Sequence, residues 1–489
     1  MTTTTTTRYL MIQNPGVCPV EGFTVLGVSS SRGDDNCIGQ FGSGNKHAVN
    51  LLLRNNLAPI VYCGGVKLDF HVKQDTMDDG LAKTKYGRVH CRMSGKSADG
   101  KSVKRDQDLR FALEYGALDW DDLAMALREF VSNALDRTVR EEEGFKDALE
   151  ADRLQVTVVD AMRAKAGYTR VYVELTPDVE KFYLELGKRF LHFSAPDDID
   201  QTILPKSGRN LGAAQTAVIY RCGVFVREVS GSQASLFDYN LNNLSMDECR
   251  NVGDWSVREA ATKALRDSDA PTLEKLFRSL AAGADTWESN FDRTSIQVES
   301  WRDTPEKCAA RKTKWQEGWK RAMGSAVVCD RGNAEQVSMV HKKGYRAAAI
   351  DGSWAEAAES NDIPVANDYL TPAEKRGQDI IEPSPAAREA LDTVWGWIEL
   401  CHMTDLVEKP DVKCFRTIVD AASVLSGYYE DNVVYLSDMH ASAVSDALLQ
   451  TVLEECAHHI TKSNDGSRDL QSWAFQFGIN RCTLGQRSR

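Results

Sequence analysis

The sequence lacks long apolar runs and paired cysteines, and both absences argue against whole classes of protein. No hydrophobic stretch approaches the ~20 residues that a membrane-spanning helix requires, so we expect no membrane partner. The 12 cysteines are scattered and include no Cys-x-x-Cys pair, which argues against a disulfide framework and a zinc ribbon. The first apolar segment is short and broken by Asn14 and Pro15, which is not typical of a secretory signal. We therefore expect a reduced, cytoplasmic protein.

The chain is acidic and long enough for several domains. Its 489 residues carry a net charge of −12, which argues against a protein whose whole surface binds nucleic acid. A nucleic-acid partner is therefore not indicated, although the charge leaves room for a local basic patch. Hydrophobic residues make up 42% of the chain, which is enough to bury a full core. At roughly 100–200 residues per domain, the length predicts two to four domains.

Helix and strand patterns alternate in the first half of the chain. The pattern predicts a hairpin with a Gly-Gly turn at residues 60–72 and a long amphipathic helix at residues 120–140. It predicts a second hairpin at residues 155–175.

A glycine-rich segment precedes another amphipathic helix. Gly39, Gly42 and Gly44 are followed by Lys46. Glycine lets backbone N–H groups approach an anion closely, the N-terminus of a helix supplies a favourable dipole, and Lys46 adds a positive charge. The spacing is not that of the P-loop, Gly-x4-Gly-Lys-Ser/Thr. Two interpretations stay open, a phosphate-binding loop and a glycine-rich turn that caps a helix.

The long helix carries three polar residues on one face. Glu129, Asn133 and Asp136 stand at positions i, i+4 and i+7. A carboxylate can polarise a water molecule, and a carboxamide oxygen can hold Mg²⁺ between phosphates. The pattern suits a nucleotide site, but it also fits a solvated polar face of a charged helix.

Together the two segments resemble the GHKL ATPases, a superfamily that includes gyrase and the histidine kinases. The pattern Glu-x3-Asn-Ala-x-Asp that starts at Glu129 resembles the N box of that superfamily. The segment from Gly39 to Lys46 resembles its glycine-rich lid. The order of the two motifs is the reverse of the usual one, as it is in a circularly permuted group of ATP-binding proteins of phage and plasmid type.

The resemblance implies a permuted Bergerat-fold α/β sandwich that binds ATP and Mg²⁺ and hydrolyses ATP slowly. It implies that Glu129 orients the attacking water and that Asn133 ligates Mg²⁺. The glycines and Lys46 would hold the phosphates, and Asp136 would complete the nucleotide site. GHKL proteins commonly dimerise when ATP closes the lid, so the resemblance also implies a homodimer and a protein client that the sequence does not identify.

One part of the GHKL pattern is missing. Members of the superfamily carry an Asp-x-Gly-x-Gly box, whose Asp receives the amino group of adenine. Asp178, just past the predicted strand at 169–175, is the leading candidate for this role, and Asp160 is the second. Without the box, the sequence does not fix which base is bound.

A second resemblance lies in the helix predicted over about residues 443–461. The segment resembles the zincin helix His-Glu-x-x-His, with Glu454 at the first His, Glu455 at the catalytic Glu and His458 at the second His. Glu454 and His458 lie one helical turn apart, so they can share one cation. Glu455 would then act as the general base of a hydrolase.

The rest of this possible metal site is less complete. A third ligand would come from Asp465 or Asp469, and the strand Val433–Leu436 would be the edge strand that holds a substrate. A carboxylate in place of the first imidazole lowers the selectivity for Zn²⁺. Three interpretations stay open: an active metallopeptidase, a degenerate zincin-like domain, and two surface histidines on a polar helix.

We predict an α/β protein in three parts. They are a permuted GHKL-like ATP-binding domain, a helical connector, and an α/β region that ends in a zincin-like helical domain, at residues 1–245, 246–330 and 331–489. The favoured function is an ATP-dependent conformational switch, encoded by a phage or mobile element and acting in the host cytoplasm. The alternatives are a metallopeptidase regulated by the nucleotide-binding domain, and a non-catalytic interaction protein or inhibitor of a host factor.

Overall fold

A computed structural model divides the chain into two compact units, Met1–Ser279 with Ala284–Val298, and Leu280–Gly283 with Glu299–Arg489. The structure describes residues 7–26, 38, 44–78, 80–117, 120–140, 144–212, 215–246, 251–291, 303–371, 374, 378–404, 407–417, 425–463 and 467–487. Both units contain helices and sheets, so the mixed α/β class is confirmed. None of the described helices is long and apolar enough to cross a membrane.

A seven-stranded sheet forms the centre of the first unit. Its order is β5-β4-β3-β2-β7-β1-β6, and every neighbouring pair is antiparallel. The strands are β1 (Tyr9–Pro15), β2 (Ile60–Cys63), β3 (Val66–Asp78), β4 (Lys83–Lys96), β5 (Ser102–Ala112), β6 (Gln155–Val159) and β7 (Tyr168–Glu174). Burial alternates over residues 66–71 of β3 and residues 87–93 of β4, so one face of the sheet packs into the core and the other faces solvent.

The first predicted hairpin is confirmed and the second is wrong. β2 and β3 pair across Gly64-Gly65, and Gly64 has a φ of +58°, which glycine adopts without steric cost. β6 and β7 do not pair with each other, because β1 lies between them and pairs with both. Leu10 and Ile12 of β1 are buried, which favours a central position in the sheet. A local sequence pattern cannot show this insertion, because the inserted strand comes from the far end of the domain.

Helices cover one face of this sheet. They are α1 (Glu21–Thr24), α2 (Gly44–Arg54), α3 (Leu123–Arg140), α4 (Phe145–Glu150), α5 (Pro177–Leu184), α6 (Leu186–Arg189) and α7 (Leu191–Ser194). The long helix predicted at 120–140 is confirmed as α3, which begins at Leu123. α2 and α3 pack on each other, and Leu52 and Leu127 share a core with Leu68 of β3. That packing fixes where the N-terminus of α2 lies against the side of α3.

A smaller sheet of order β10-β9-β11-β8 completes the first unit with two helices. These elements are β8 (Ile203–Pro205), β9 (Val218–Arg221), β10 (Val224–Glu228), β11 (Phe237–Asn240), α8 (Asp254–Arg266) and α9 (Ala270–Ala281). The fully buried carboxylate of Glu288 ties the end of the unit to β11, because it accepts hydrogen bonds from Ser235 Oγ at 2.5 Å and Tyr239 OH at 3.0 Å.

The described residues of the second unit form two sheets. One pairs β12 with β13 in parallel, and the other has the order β14-β15-β17-β16. Its elements are α10 (Pro305–Met323), β12 (Val327–Asp330), α11 (Ala334–Lys342), β13 (Ala347–Ile350), α12 (Gly352–Ser360), β14 (Ile380–Ile381), α13 (Pro385–Leu400), β15 (Asp411–Phe415), β16 (Gly427–Glu430), β17 (Val433–Ser437), α14 (Asp446–Thr461) and α15 (Arg468–Arg487).

Two predictions for this region differ from the structure. The strand Val433–Leu436 exists as part of β17, but it is an inner strand that pairs with β15 on one side and β16 on the other. Val434 and Leu436 are fully buried, which an edge strand beside a substrate groove would not require. The segment predicted as a connector is divided, because α8 and most of α9 belong to the first unit and α10 belongs to the second.

Candidate functional site

The N-terminus of α2 lies directly against α3. A Cβ atom added to Gly44 would collide with Glu129 Oε2, so the backbone at the start of α2 touches the carboxylate of α3. Only glycine permits this approach without displacement. Glu129 itself is 7% exposed, and its Oε1 lies 4.0 Å from Nε of the neighbouring Arg128. The structure therefore brings one predicted loop residue and the predicted water-orienting residue into contact.

The other two polar residues of the α3 face also contact this segment. Asn133 donates from Nδ2 to Asn45 Oδ1 at 2.9 Å, and Asp136 Oδ1 accepts from the backbone N–H of Ile38 at 2.8 Å. The carboxamide oxygen of Asn133, the atom suited to Mg²⁺, is not used in its bond to Asn45. The face at i, i+4 and i+7 thus contacts the described residues on either side of the glycine-rich segment, Ile38 before it and Gly44 and Asn45 at its end. Gly39 and Gly42 lie outside the described residues.

Lys46 lies in the first turn of α2 and is 1% exposed. Burial lowers the pKa of its ammonium from 10.5 to about 8, while the nearby Cys18 opposes that shift. The same surroundings raise the pKa of the Cys18 thiol through burial, which keeps it protonated at neutral pH. A buried ammonium at a helix N-terminus is electrostatically costly, and an anion placed there would offset the cost.

His47 shows how the start of α2 is held in place. Its ring stacks on Tyr115 at 4.7 Å and on Trp120 at 5.1 Å between ring centroids. A Cβ on Gly116, where φ is +78°, would collide with His47 Nδ1, so the chain before α3 also passes close to this ring. Sequence reasoning missed His47, although its place next to Lys46 in the helix was a usable signal.

The candidates for adenine recognition are not part of this contact region. Asp178 is exposed in the first turn of α5, and Asp160 is exposed just after β6. The start of α5 is capped by Thr176, whose side chain accepts from Val179 N–H. An acidic residue in the first turn stabilises the helix through its dipole, which explains Asp178 without a ligand. No described contact assigns the base-binding residue.

The helix whose sequence resembles the zincin motif is α14, and its described candidate ligands, Glu454, His458 and Asp469, do not form a three-ligand group. Glu454 is exposed, Glu455 is 9% exposed, and His458 is half-buried with Nδ1 donating to the carbonyl of Ser463 at 2.6 Å. Asp465 lies outside the described residues, and Asp469 is exposed on α15. Within the described ranges, no three His, Cys, Asp or Glu side chains form a group that could hold a metal ion.

The neighbouring histidine, His459, is more deeply buried than His458. It is 1% exposed, and its Nε2 donates to the carbonyl of Glu408 at 2.7 Å. Its Nδ1 must then accept from Tyr429 OH at 3.2 Å, because the ring is neutral when burial lowers its pKa. Both ring nitrogens are occupied, so His459 is a structural residue. Sequence reasoning missed it, although Leu448 and Val452 place it on the apolar stripe of the helix.

A polar cavity of about 220 Å³ lies in the second unit beside the carboxyl end of β12. Its lining includes Asp330, Asn333, Gln336, Glu356 and Asn367. β12 pairs in parallel with β13 and makes a parallel bridge through Val328 to Val365. Crevices at the carboxyl ends of parallel strands are common ligand positions. The alternating pattern of this region was visible in the sequence, but the cavity was not.

No known protein-family model matches this sequence, and no curated protein matches it as a relative.

Proposed function

We propose that the first unit binds ATP with Mg²⁺ where α2 meets α3, and hydrolyses it slowly as a conformational switch. The observation that carries the proposal is the contact of the Glu129–Asn133–Asp136 face with Ile38, Gly44 and Asn45. Two motifs about 80–100 residues apart in the sequence meet side by side, as a shared phosphate site requires.

Each side chain has a role in this proposal. The backbone N–H groups at the start of α2 and the Lys46 ammonium bind the phosphates, since both favour an anion there. The Asn133 carboxamide oxygen would hold Mg²⁺, which neutralises phosphate charge during transfer. Glu129 orients the attacking water and accepts its proton. Asp136 holds the backbone at Ile38 and so positions the segment that leads into the loop.

The resemblance to GHKL ATPases extends the proposal to assembly. We propose a homodimer that closes when ATP is bound, acting on an unidentified protein client. Size-exclusion chromatography with light scattering, with and without a non-hydrolysable ATP analogue, tests this part. If the protein stays monomeric with the analogue bound, the proposal of dimer closure is contradicted, whereas the proposal of nucleotide binding is not affected.

Calorimetric titration with ATP and with GTP, each with and without Mg²⁺, tests the binding step. Asn133→Ala should weaken the Mg²⁺-dependent part of the affinity. Asn55→Ala, an exposed change at the other end of α2, is the matched control and should leave the affinity unchanged. Equal ATP affinity in Asn133→Ala and the parent would contradict the assignment of Asn133.

Phosphate release tests the hydrolytic step separately. Glu129→Gln should keep ATP binding and lower the hydrolysis rate by ~10²–10⁴-fold, the usual contribution of a general base. Glu150→Gln makes the same chemical change at an exposed position of α4 and should have no effect. An unchanged rate in Glu129→Gln would mean that Glu129 is not the water-orienting residue.

The two alternatives have separate tests. A metallopeptidase regulated by the first unit requires a bound metal, so one zinc per chain that is lost in His458→Ala would favour it. A non-catalytic interaction protein requires neither nucleotide nor metal. Titrations that show no binding of either nucleotide would favour this second alternative over the ATPase.

A further inference from the structure

The solvent face of β3, β4 and β5 carries a dense array of charges. Neighbouring strands place alternate residues of each strand on this face, and the intervening residues, such as Phe70 and Cys91, are buried on the other side. We call it the ladder face, and its ionisable members are Lys67, Asp69, His71, Lys73, Asp75, Arg88, His90, Arg92, Lys96, Lys104, Asp106 and Asp108.

All four carboxylates of the ladder face are engaged by cations of the same face. Three cations make four ion pairs: Lys67–Asp69 at 3.8 Å, Lys73–Asp106 at 2.6 Å, and Arg88 with both Asp75 at 2.7 Å and Asp108 at 3.2 Å. His71 Nε2 lies a further 3.6 Å from Asp106. Three cations of the ladder face therefore pair with all four of its carboxylates.

Three exposed cations of the ladder face remain outside these pairs. Arg92, Lys96 and Lys104 form no ion pair with any residue in the described part of the chain. They lie at the end of the β4–β5 hairpin, where residues 92–105 include five Lys or Arg residues and one carboxylate, Asp99, which pairs with Lys101. A local excess of positive charge stands out in a chain with a net charge of −12.

The three cations form a short row on the ladder face. Arg92 and Lys96 are four residues apart on one strand, or about 13–14 Å. Lys104 lies opposite Ser94, midway between them on the next strand. Phosphates of one duplex strand repeat every ~3.4 Å along the axis, so the three cations span about four nucleotides.

We infer that the ladder face binds the phosphate backbone of double-stranded nucleic acid. The hairpin end at 92–104 offers cations but no aromatic side chain, so it cannot stack unpaired bases as single-strand binders do. Contacts limited to phosphates carry no base readout, so binding is independent of sequence. This inference does not depend on nucleotide binding by α2 and α3.

The salt dependence of duplex binding can be predicted from the number of phosphate contacts. Three phosphate contacts release about three counterions, so log K should fall against log salt with a slope of about −2.7. Between 50 and 200 mM salt the affinity should therefore fall about 40-fold. The assay is fluorescence anisotropy of a labelled 30-bp duplex titrated with the full chain in the absence of ATP.

The variant Arg92→Gln/Lys96→Gln/Lys104→Gln should lose this binding and its salt slope. Lys85→Gln/Lys181→Gln/Lys263→Gln removes the same charge from exposed positions of the same unit and should bind like the parent. Circular dichroism verifies that both variants are folded. Equal affinities in the two variants, or no binding at 50 mM salt, would overturn the inference.

Three competitors identify the kind of polyanion: an unlabelled duplex, its single strand and polyglutamate. An unlabelled duplex of unrelated sequence should compete as well as the labelled one. Tighter binding of the single strand would overturn the duplex assignment. Equal competition by polyglutamate at matched charge would overturn it in favour of an acidic protein partner.

Discussion

Replacing Lys46 by methionine should stabilise the first unit at neutral pH, although it removes a charge from the candidate nucleotide site. Lys46 is 1% exposed, and burial lowers the pKa of its ammonium from 10.5 to about 8. Methionine is similarly long and flexible and carries no charge, so it fills the same space without the electrostatic cost. Most substitutions of buried residues destabilise, which makes a gain in stability a specific expectation.

The sign and size of the effect follow from the two pKa values. The unfolded chain keeps the proton of Lys46 up to about pH 10.5, whereas the folded chain keeps it up to about pH 8. The difference of 2.5 pKa units corresponds to about 3 kcal/mol of unfavourable free energy in the folded state below pH 8. That penalty shrinks as the pH rises from 8 to 10.5, because the folded state then buries a neutral amine. The stabilisation by methionine should shrink over the same range.

Equilibrium urea unfolding at pH 7 and pH 10 measures this difference. Pulsed hydrogen exchange, read on peptides that cover residues 44–54, restricts the signal to the first unit. Lys181→Met, at an exposed position of α5, is the control and should change stability by less than about 0.5 kcal/mol. A Lys46→Met variant that is less stable than the parent at pH 7, or equally stabilised at both pH values, would refute the reasoning.

The same variant separates stability from function. If Lys46 serves phosphate binding, the protein retains a costly buried charge because an anion repays the cost when it binds. Lys46→Met should then be more stable without nucleotide and bind ATP more weakly. A variant that is more stable and binds ATP as the parent does would show that Lys46 does not contact the phosphates.

Three further predictions follow from single residues. Gly44→Ala should lower the thermal midpoint, because the added methyl group collides with the buried carboxylate of Glu129 and such overpacking costs about 1–3 kcal/mol. The control Gly396→Ala lies inside a helix with open space around it and should raise stability by up to about 1 kcal/mol. Two shifts of the same sign would contradict the contact between Gly44 and Glu129. Burial lowers the pKa of His192 from 6.5 to about 4, so the free energy of unfolding of the first unit should fall by about 3 kcal/mol between pH 6.5 and pH 4. Acid unfolding curves of His192→Leu should lack this pH dependence. Glu454→His restores two imidazoles one turn apart with His458 and should raise zinc affinity in a competition assay with a fluorescent chelator; unchanged affinity would end the zincin interpretation.

The sequence predicts local features of the candidate site better than its assembly. Helical periodicity alone places Glu129, Asn133 and Asp136 on one face, and α3 has that face. Nothing local in the sequence predicts that this face meets Ile38, Gly44 and Asn45, and the resemblance to GHKL proteins supplied that expectation. The contact depends on how α2 and α3 pack over the sheet, which is decided by apolar residues distant from both motifs.

Strand pairing and burial mark the limits of local patterns. The run 155–175 looks like a hairpin because two β-rich stretches flank a glycine, but β1 pairs with both stretches. The two histidines of α14 show the same limit. The motif match selects His458 as a ligand, but the apolar stripe of α14 buries His459. In both places the hydrophobic core, formed by distant segments, decides the outcome.

The two proposed binding surfaces of the first unit lie on opposite faces of one sheet. α2 and α3 pack over the buried side of β3 and β4, and the ladder face is the other side of the same strands. The surfaces share no residue, so ATP and duplex do not compete directly. Any effect of one on the other must pass through the packed core, and it must be equal in both directions. Duplex affinity measured with and without ATP and Mg²⁺ tests for such coupling. If ATP changes duplex affinity, the duplex must change ATP affinity by the same factor, and an unequal pair of factors would show that the two titrations do not report the same two equilibrium sites.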